Sequence, residues 1–377
     1  MRLAGGPVQS VGLNSDVVAN GRRFHVQTNF QPDTGELTAS VFEDGRLVER
    51  LVRRKATTLT LEELQAEVAG LHQEASERIQ QLFLLHERLH KLGHAPSHNR
   101  LGLALLRRGF YEEARQQFEQ AIALEQNEPD YHKNLGDVYL AQRRYSKAVE
   151  CYRASLALGP HYADVHTALG RAYLELGRVE DALAHLRQAI VLNNKFGRAH
   201  LELALALLQK MIKRKEVPSP AKLDEVAGHL RQALRYHGGD SERLTEALHA
   251  LQRGAFPQAL EFMRLAGMGR TVDSPTVREQ ELLLRLITES SGEEVAAVDE
   301  LVGELERLTA QHEGYADLHN SLGVAYLIQG RNLLLRAAAE FKKALRINPR
   351  FQTAKRNLRL VENDGRGLLI LLRTLLK

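Results

Sequence analysis

His86-Glu87-Arg88-Leu89-His90 is the string in this sequence whose residue types and spacing could do hydrolytic chemistry. On a helix, histidines four apart stand one turn above another and can share a zinc ion, while the glutamate between them activates a metal-bound water. One reading is therefore a zinc-dependent hydrolase with His86 and His90 as ligands and Glu87 as base. The third ligand argues against it. The extended form of the motif has glycine at the place of Gly93 and histidine at position 96, where this chain has Pro96; His94 and His98 miss that spacing. A leucine-rich charged helix produces the five-residue string by chance, and adventitious metal capture by His86, His90, His94 and His98 is the milder alternative. The expectation is a chain that is not an enzyme, with no cofactor and no resident metal.

A second histidine series has a different origin. His132, His166 and His200 are spaced by 34 residues, and His319 holds the equivalent place further on. Packing in a repeated structure accounts for them, with pH sensing as the other reading. Cys151, the single cysteine, excludes an intramolecular disulfide and reads as a packing residue in a chain suited to a reducing compartment.

The elements that carry these residues come in three kinds. Residues 1–22 read as a flexible N-terminus. Residues 23–55 read as a small β module, with strands over 23–30 and 36–53 and a tight hairpin at Asp44-Gly45. Residues 60–94 read as a long amphipathic helix opened by a capping box, Thr60 with Glu63. Leu61, Leu64, Val68, Leu71, Ala75, Leu82, Leu85, Leu89 and Leu92 fill a heptad seam interrupted at Arg78, and in that frame His86, Glu87 and His90 point to water. Such a seam can pair with a second chain, giving a homodimer through the 61–92 helix, or fold back on the hairpin and first repeat. The coiled-coil-like contact is favoured.

The third kind dominates. Leu101-Gly102, Leu135-Gly136 and Leu169-Gly170 recur at intervals of 34 residues, each followed by a large apolar residue (Leu105, Tyr139, Tyr173), a small one (Ala114, Ala148, Ala182) and a bulky one (Phe118, Tyr152, Leu186). Antiparallel helices approach closely only where glycine or alanine lies at their crossing, so the pattern encodes stacked helical hairpins. It resembles the tetratricopeptide repeat family. Leu135-Gly136, Tyr139, Tyr145, Ala148, Tyr152 and Pro160 give the fullest match, and Leu322-Gly323, Tyr326, Phe341, Ala344 and Pro349 give another near the C-terminus.

The resemblance implies a mainly α fold, a tetratricopeptide-type α-solenoid of helical hairpins behind the small antiparallel β hairpin and the long amphipathic helix. Repeats are expected over 95–270 with a charged insertion at 210–222, a degenerate helical pair over 271–311, a C-terminal repeat and capping helix over 312–362, and a basic leucine-rich tail over 363–377. It also implies a concave groove lined by the first helix of each hairpin, here Asn99, Leu103, Leu106, Lys133, Asn134, Asp137, Leu140, Arg171, Leu174 and Arg198. Some members clamp a C-terminal carboxylate at five groove positions. The matching sets here are Asn99, Leu103, Asn134, Asp164 and Ala168, where only Asn134 suits, or Lys133, Asp137, Ala168, Arg198 and Glu202, where two suit. The lining fits an internal segment or an amphipathic helix better.

Charge is local. The net +4 conceals twelve Lys or Arg against three acids from Arg331 to Lys377, a net +9 in that stretch. No aromatic interleaving accompanies it, so no nucleic acid partner is expected. The run Leu368-Leu369-Ile370-Leu371-Leu372 is shorter than the roughly 20 apolar residues of a span. Either it caps the last repeat or it makes a weak membrane-surface contact through the C-terminal tail, the peripheral membrane alternative. The expected partners are proteins, the expected location cytoplasmic, and the expected role a scaffold or adaptor in a bacterial multiprotein assembly.

Overall fold

The computed structural model describes residues 11–54, 60–89, 95–159, 162–214, 219–236, 241–267, 302–303, 305–310, 316–329 and 334–362. The chain divides into two compact units, Met1–Gln117 and Phe118–Lys377.

In the first unit β1 (Gly12–Ala19), β2 (Arg22–Gln31), β3 (Glu36–Glu43) and β4 (Arg46–Arg54) form an antiparallel meander in chain order. The sheet is a strand larger than the sequence reading expects, and part of the segment assigned to a flexible terminus supplies it: β1 pairs with β2 from Gly12↔Asn29 to Ala19↔Arg22. The turn gives the reason. Asn20 and Gly21 have φ of 48° and 70°, matching Asp44 and Gly45 at 48° and 76°. Positive φ at both central residues is the turn whose twist suits paired strands.

Helix α1 (Leu61–Leu89) starts at the expected capping box, in which the Thr60 N–H donates to Glu63 Oε2 at 2.8 Å and the Glu63 N–H donates to Thr60 Oγ1 at 3.3 Å. Leu64, Val68, Leu71, Ala75, Ile79, Leu82 and Phe83 are all buried. Beyond Ala75 this stripe passes through Ile79 and Phe83, following the 3.6-residue period of a straight helix instead of the heptad. Two expectations are corrected as a result. The apolar stripe is covered within the chain by the sheet, so it is not a free seam for a homodimer. His86, expected to face water, is only 7% exposed because the drifting stripe carries it inward.

Aromatic and cationic groups weld the sheet to the helices that follow, α2 (Ala95–Arg107) and the start of α3 (Tyr111–Leu124). Phe24, Phe83 and Phe110 have ring centroids 5.0–6.0 Å apart. Each such buried ring contributes roughly 1.5–3 kcal/mol of transfer free energy before the entropy of ordering. Arg22 lies over Phe83 and Phe110, and Arg46 donates to the carbonyls of Arg108 and Gly109 at 3.3 and 3.1 Å. His72 closes the other side, one ring nitrogen 2.7 Å from Ser15 Oγ and the other 3.0 Å from Thr28 Oγ1.

The second unit is a succession of helical hairpins: α4 (Pro129–Ala141) with α5 (Tyr145–Leu158), α6 (Ala163–Glu175) with α7 (Val179–Leu192), α8 (Gly197–Arg214) with α9 (Pro220–Tyr236), and α10 (Ser241–Gln252) with α11 (Phe256–Gly267). After residues outside the description come α12 (Ala316–Gln329), α13 (Leu334–Ile347) and α14 (Gln352–Glu362). The fold class is the expected one. At the crossings Gly136 faces Tyr152, Gly170 faces Leu186 and Gly323 faces Phe341, while Ala148, Ala182, Ala233 and Ala259 are fully buried beside them. Much of the expected insertion at 210–222 is helix, since α8 runs on to Arg214 and α9 begins at Pro220. Most of the degenerate pair at 271–311 and all of the tail at 363–377 lie outside the described residues.

Candidate partner-binding groove

The residues expected to line a groove fall in both units. Asn99, Leu103 and Leu106 belong to α2 in the first and are half-buried. Lys133, Asn134, Asp137 and Leu140 on α4, Arg171 and Leu174 on α6, and Arg198 on α8 belong to the second, where the first helices of successive hairpins are neighbours. Leu174 is 5% exposed and joins the main apolar core, with Leu140 packed against it; Asn134 is also 5% exposed. What remains accessible is charged.

Two ion clusters stand on this surface. Lys133 Nζ lies 3.0 Å from Asp137 Oδ2 and 3.7 Å from Asp164 Oδ2, and the Tyr152 hydroxyl donates to Asp137 Oδ1 at 2.7 Å. Burial opposes the charge on Lys133, yet Asp137 and Asp164 outweigh it and hold the ammonium well above its ordinary pKa. On the neighbouring helices Arg198 Nε approaches Glu202 Oε1 at 3.0 Å and Arg171 Nε approaches it at 4.0 Å. Asp164 and Glu202 were absent from the sequence-derived lining, although a signal existed: each follows its cationic partner, Lys133 or Arg171, by 31 residues. That is one repeat less one helical turn, the offset at which first helices of adjacent hairpins face each other.

Counted by formal charge, Asp130, Asp137 and Asp164 outnumber Lys133, while Arg171 and Arg198 outnumber Glu202. The surface is therefore negative toward α4 and positive toward α8. Burial and then the neighbouring Asp164 raise the Asp130 pKa, and burial and then Asp130 raise that of Glu128. These acids gain from a cation brought to them.

The other sequence candidates resolve differently. The His86 Nδ1 accepts from Gln117 Nε2 at 2.9 Å, and the His98 Nδ1 donates to Gln117 Oε1 at 2.7 Å. Glu87 is exposed, and His90 and His94 lie outside the described residues. Among the described residues no three His, Cys, Asp or Glu side chains converge to hold a metal ion, and no helix is long and apolar enough to cross a membrane. Burial, then Glu150, pushes the Cys151 thiol up to about 11. A thiol so held stays protonated near neutrality and is a poor nucleophile.

The 34-residue histidine series joins paired helices. His166 Nδ1 meets His185 Nδ1 at 3.0 Å, His200 Nδ1 meets His229 Nδ1 at 2.9 Å, and His319 Nδ1 meets Glu340 Oε2 at 2.5 Å. A ring N–H donating to a ring nitrogen requires at least one neutral partner. Burial lowers the pKa of His200, His229 and His185; the charge of His200 lowers His229 further, and Arg153 lowers His185, against smaller opposing effects of Glu225 and Asp181. Depressed folded-state values mean that the unfolded chain binds more protons as pH falls below about 6.5, the ordinary histidine value. Stability from these pairs is present above that pH and is lost below it. We expect the melting temperature to fall between pH 7 and pH 5, and His229→Gln to flatten that slope; an unchanged slope would refute the assignment.

Comparisons with known proteins follow the same geometry. Two family models, each described as tetratricopeptide repeat, match residues 99–163 and 139–200. No curated protein matches the chain. Among solved structures, a tetratricopeptide repeat protein from Parabacteroides merdae is 18% identical, with 71% of this chain and 99% of that one covered and a TM-score of 0.34. YrrB, described as having an unusual peptide-binding site, is 15% identical over 72% of this chain and 95% of its own, with a TM-score of 0.33. Pseudomonas aeruginosa pilF is 21% identical over 59% and 94%, with a TM-score of 0.37.

Proposed function

We propose that this chain, whose repeats belong to the tetratricopeptide-repeat family, is a protein-interaction scaffold that holds a peptide or helical segment of a partner on the α4, α6 and α8 surface. The observation that carries this reading is the charge order along that surface: acids in excess beside Lys133, then guanidinium groups in excess around Glu202. A segment with a basic end and an acidic end is oriented by such a pattern, because like-charge juxtaposition excludes the reverse direction. The lining is carried by helices packed into a common core, so little ordering entropy is lost by the protein on binding. The partner assembly, in this reading, is bacterial and cytoplasmic.

Affinity capture with the intact chain and with Lys133→Glu combined with Arg171→Glu tests the reading. Partners retained by the intact chain should be lost from the variant while its far-ultraviolet circular dichroism and melting stay close to the parent. The same partner set on both chains would remove the groove from consideration.

A further inference from the structure

The C-terminal helix returns to the acidic end of this same surface. Phe351 packs against the main apolar core of the second unit as well as against Ala344 and Ala354 of its own repeat. The Gln352 N–H donates to the Tyr162 hydroxyl at the start of α6. Thr353 Oγ1 reaches Asp130 Oδ2 at 3.5 Å, and Arg356 Nη1 stands 3.9 Å from Glu128 Oε2. Asp130 lies one turn before Lys133 on α4, and both feel the charge of Asp164. The residues touched by Phe351–Arg356 therefore belong to the network that forms the candidate groove.

We propose that the segment Phe351–Arg356 is a built-in occupant of the groove's acidic end, an autoinhibitory contact that a partner's basic segment with a leading aromatic must displace. This rests on the groove reading above and specifies the class of ligand that the acidic end accepts: an aromatic anchor followed within about two turns by a hydroxyl and a cation, the pattern Phe351, Thr353, Arg356.

The strength of the contact suits displacement. Arg356 is 64% exposed, and an exposed ion pair near 4 Å is worth little because water and salt screen it. A hydroxyl-to-carboxylate distance of 3.5 Å is at the long limit of a hydrogen bond. Phe351 is thus the principal anchor, and it is only partly buried. On its other side α14 is held to its own repeat, where Asn357 Nδ2 donates to Asn320 Oδ1 at 3.0 Å. Release from α4 and α6 therefore leaves the C-terminal repeat its own contacts. A tethered occupant competes at a local concentration that a free ligand must exceed, so the cis contact gates entry without being strong.

The test uses the full chain and a labelled peptide of residues 350–362 as probe. The opened chain carries Phe351→Ala with Arg356→Glu, both positions lying outside the α4, α6 and α8 surface that accepts the peptide. We expect the peptide to bind the opened chain at least tenfold more tightly than the parent, and Asp130→Lys added to the opened chain to abolish that binding. Hydrogen exchange at the first turns of α4 and α6 should quicken in the opened chain. Equal peptide binding by parent and opened chain, or no binding to an opened chain whose circular dichroism is unchanged, overturns the proposal. Because the probe is the chain's own segment, that failure is distinguishable from failure of partner capture.

Discussion

Arg108→Met should destabilise the N-terminal unit by about 3–5 kcal/mol, the range for stranding one member of a buried ion pair. Arg108 and Glu49 are 9% and 6% exposed, with Nη2 to Oε1 at 2.8 Å and Nε to Oε2 at 3.2 Å. Without the guanidinium, the Glu49 carboxylate stays buried beside Arg78, whose Nη1 is 3.6 Å away. Coulomb energy alone does not make such a pair profitable, because desolvating both ions cancels most of it. Glu49→Leu combined with Arg108→Met should therefore recover most of the lost stability. Denaturant unfolding, with hydrogen exchange on β4, measures both; a double variant as weak as the single one would show that the pair is intrinsically stabilising.

Gly170→Ala should also cost about 1–3 kcal/mol, although alanine favours helix over glycine by about 1 kcal/mol. A methyl group there would come within 2.6 Å of Leu186 Cγ and 3.4 Å of the Ala182 carbonyl oxygen. Leu186 is fully buried and has nowhere to move. Gly228 on α9 supplies the opposite case, since nothing lies within 4 Å of an added Cβ. Gly228→Ala should raise stability by about 1 kcal/mol through helix propensity alone. Thermal melting of the two variants should move in opposite directions, and a stabilised Gly170→Ala would mean that the α6 and α7 crossing is looser than described.

The contrast between these glycines marks where the sequence was legible. Gly170 recurs with Leu169 at the repeat interval and was readable as a helix crossing; Gly228 has no counterpart and carries no such meaning. The histidine series was visible in the same way, but its partners His185, His229 and Glu340 were not, because inserted residues shift the second helix against the first. The α1 stripe misled for a related reason. Its first half satisfies a heptad and a 3.6-residue period equally well, and only from Ile79 onward do the two separate. Asn20-Gly21 was a hairpin signal of the same kind as Asp44-Gly45, obscured because β1 is largely exposed and lacks a continuous apolar run.

By itself the sequence determined the hairpin repeat, the small residues at its crossings and the capping box of α1, since each depends on residues within one repeat or one helical turn. Tertiary structure decided which charges meet. Lys133 with Asp164, Arg108 with Glu49 and Thr353 with Asp130 join positions 31, 59 and 223 residues apart, and no local periodicity fixes which surface charge a returning chain encounters. Coulombic partners are set by distance in space, whereas helix and turn formation are set by neighbours along the chain.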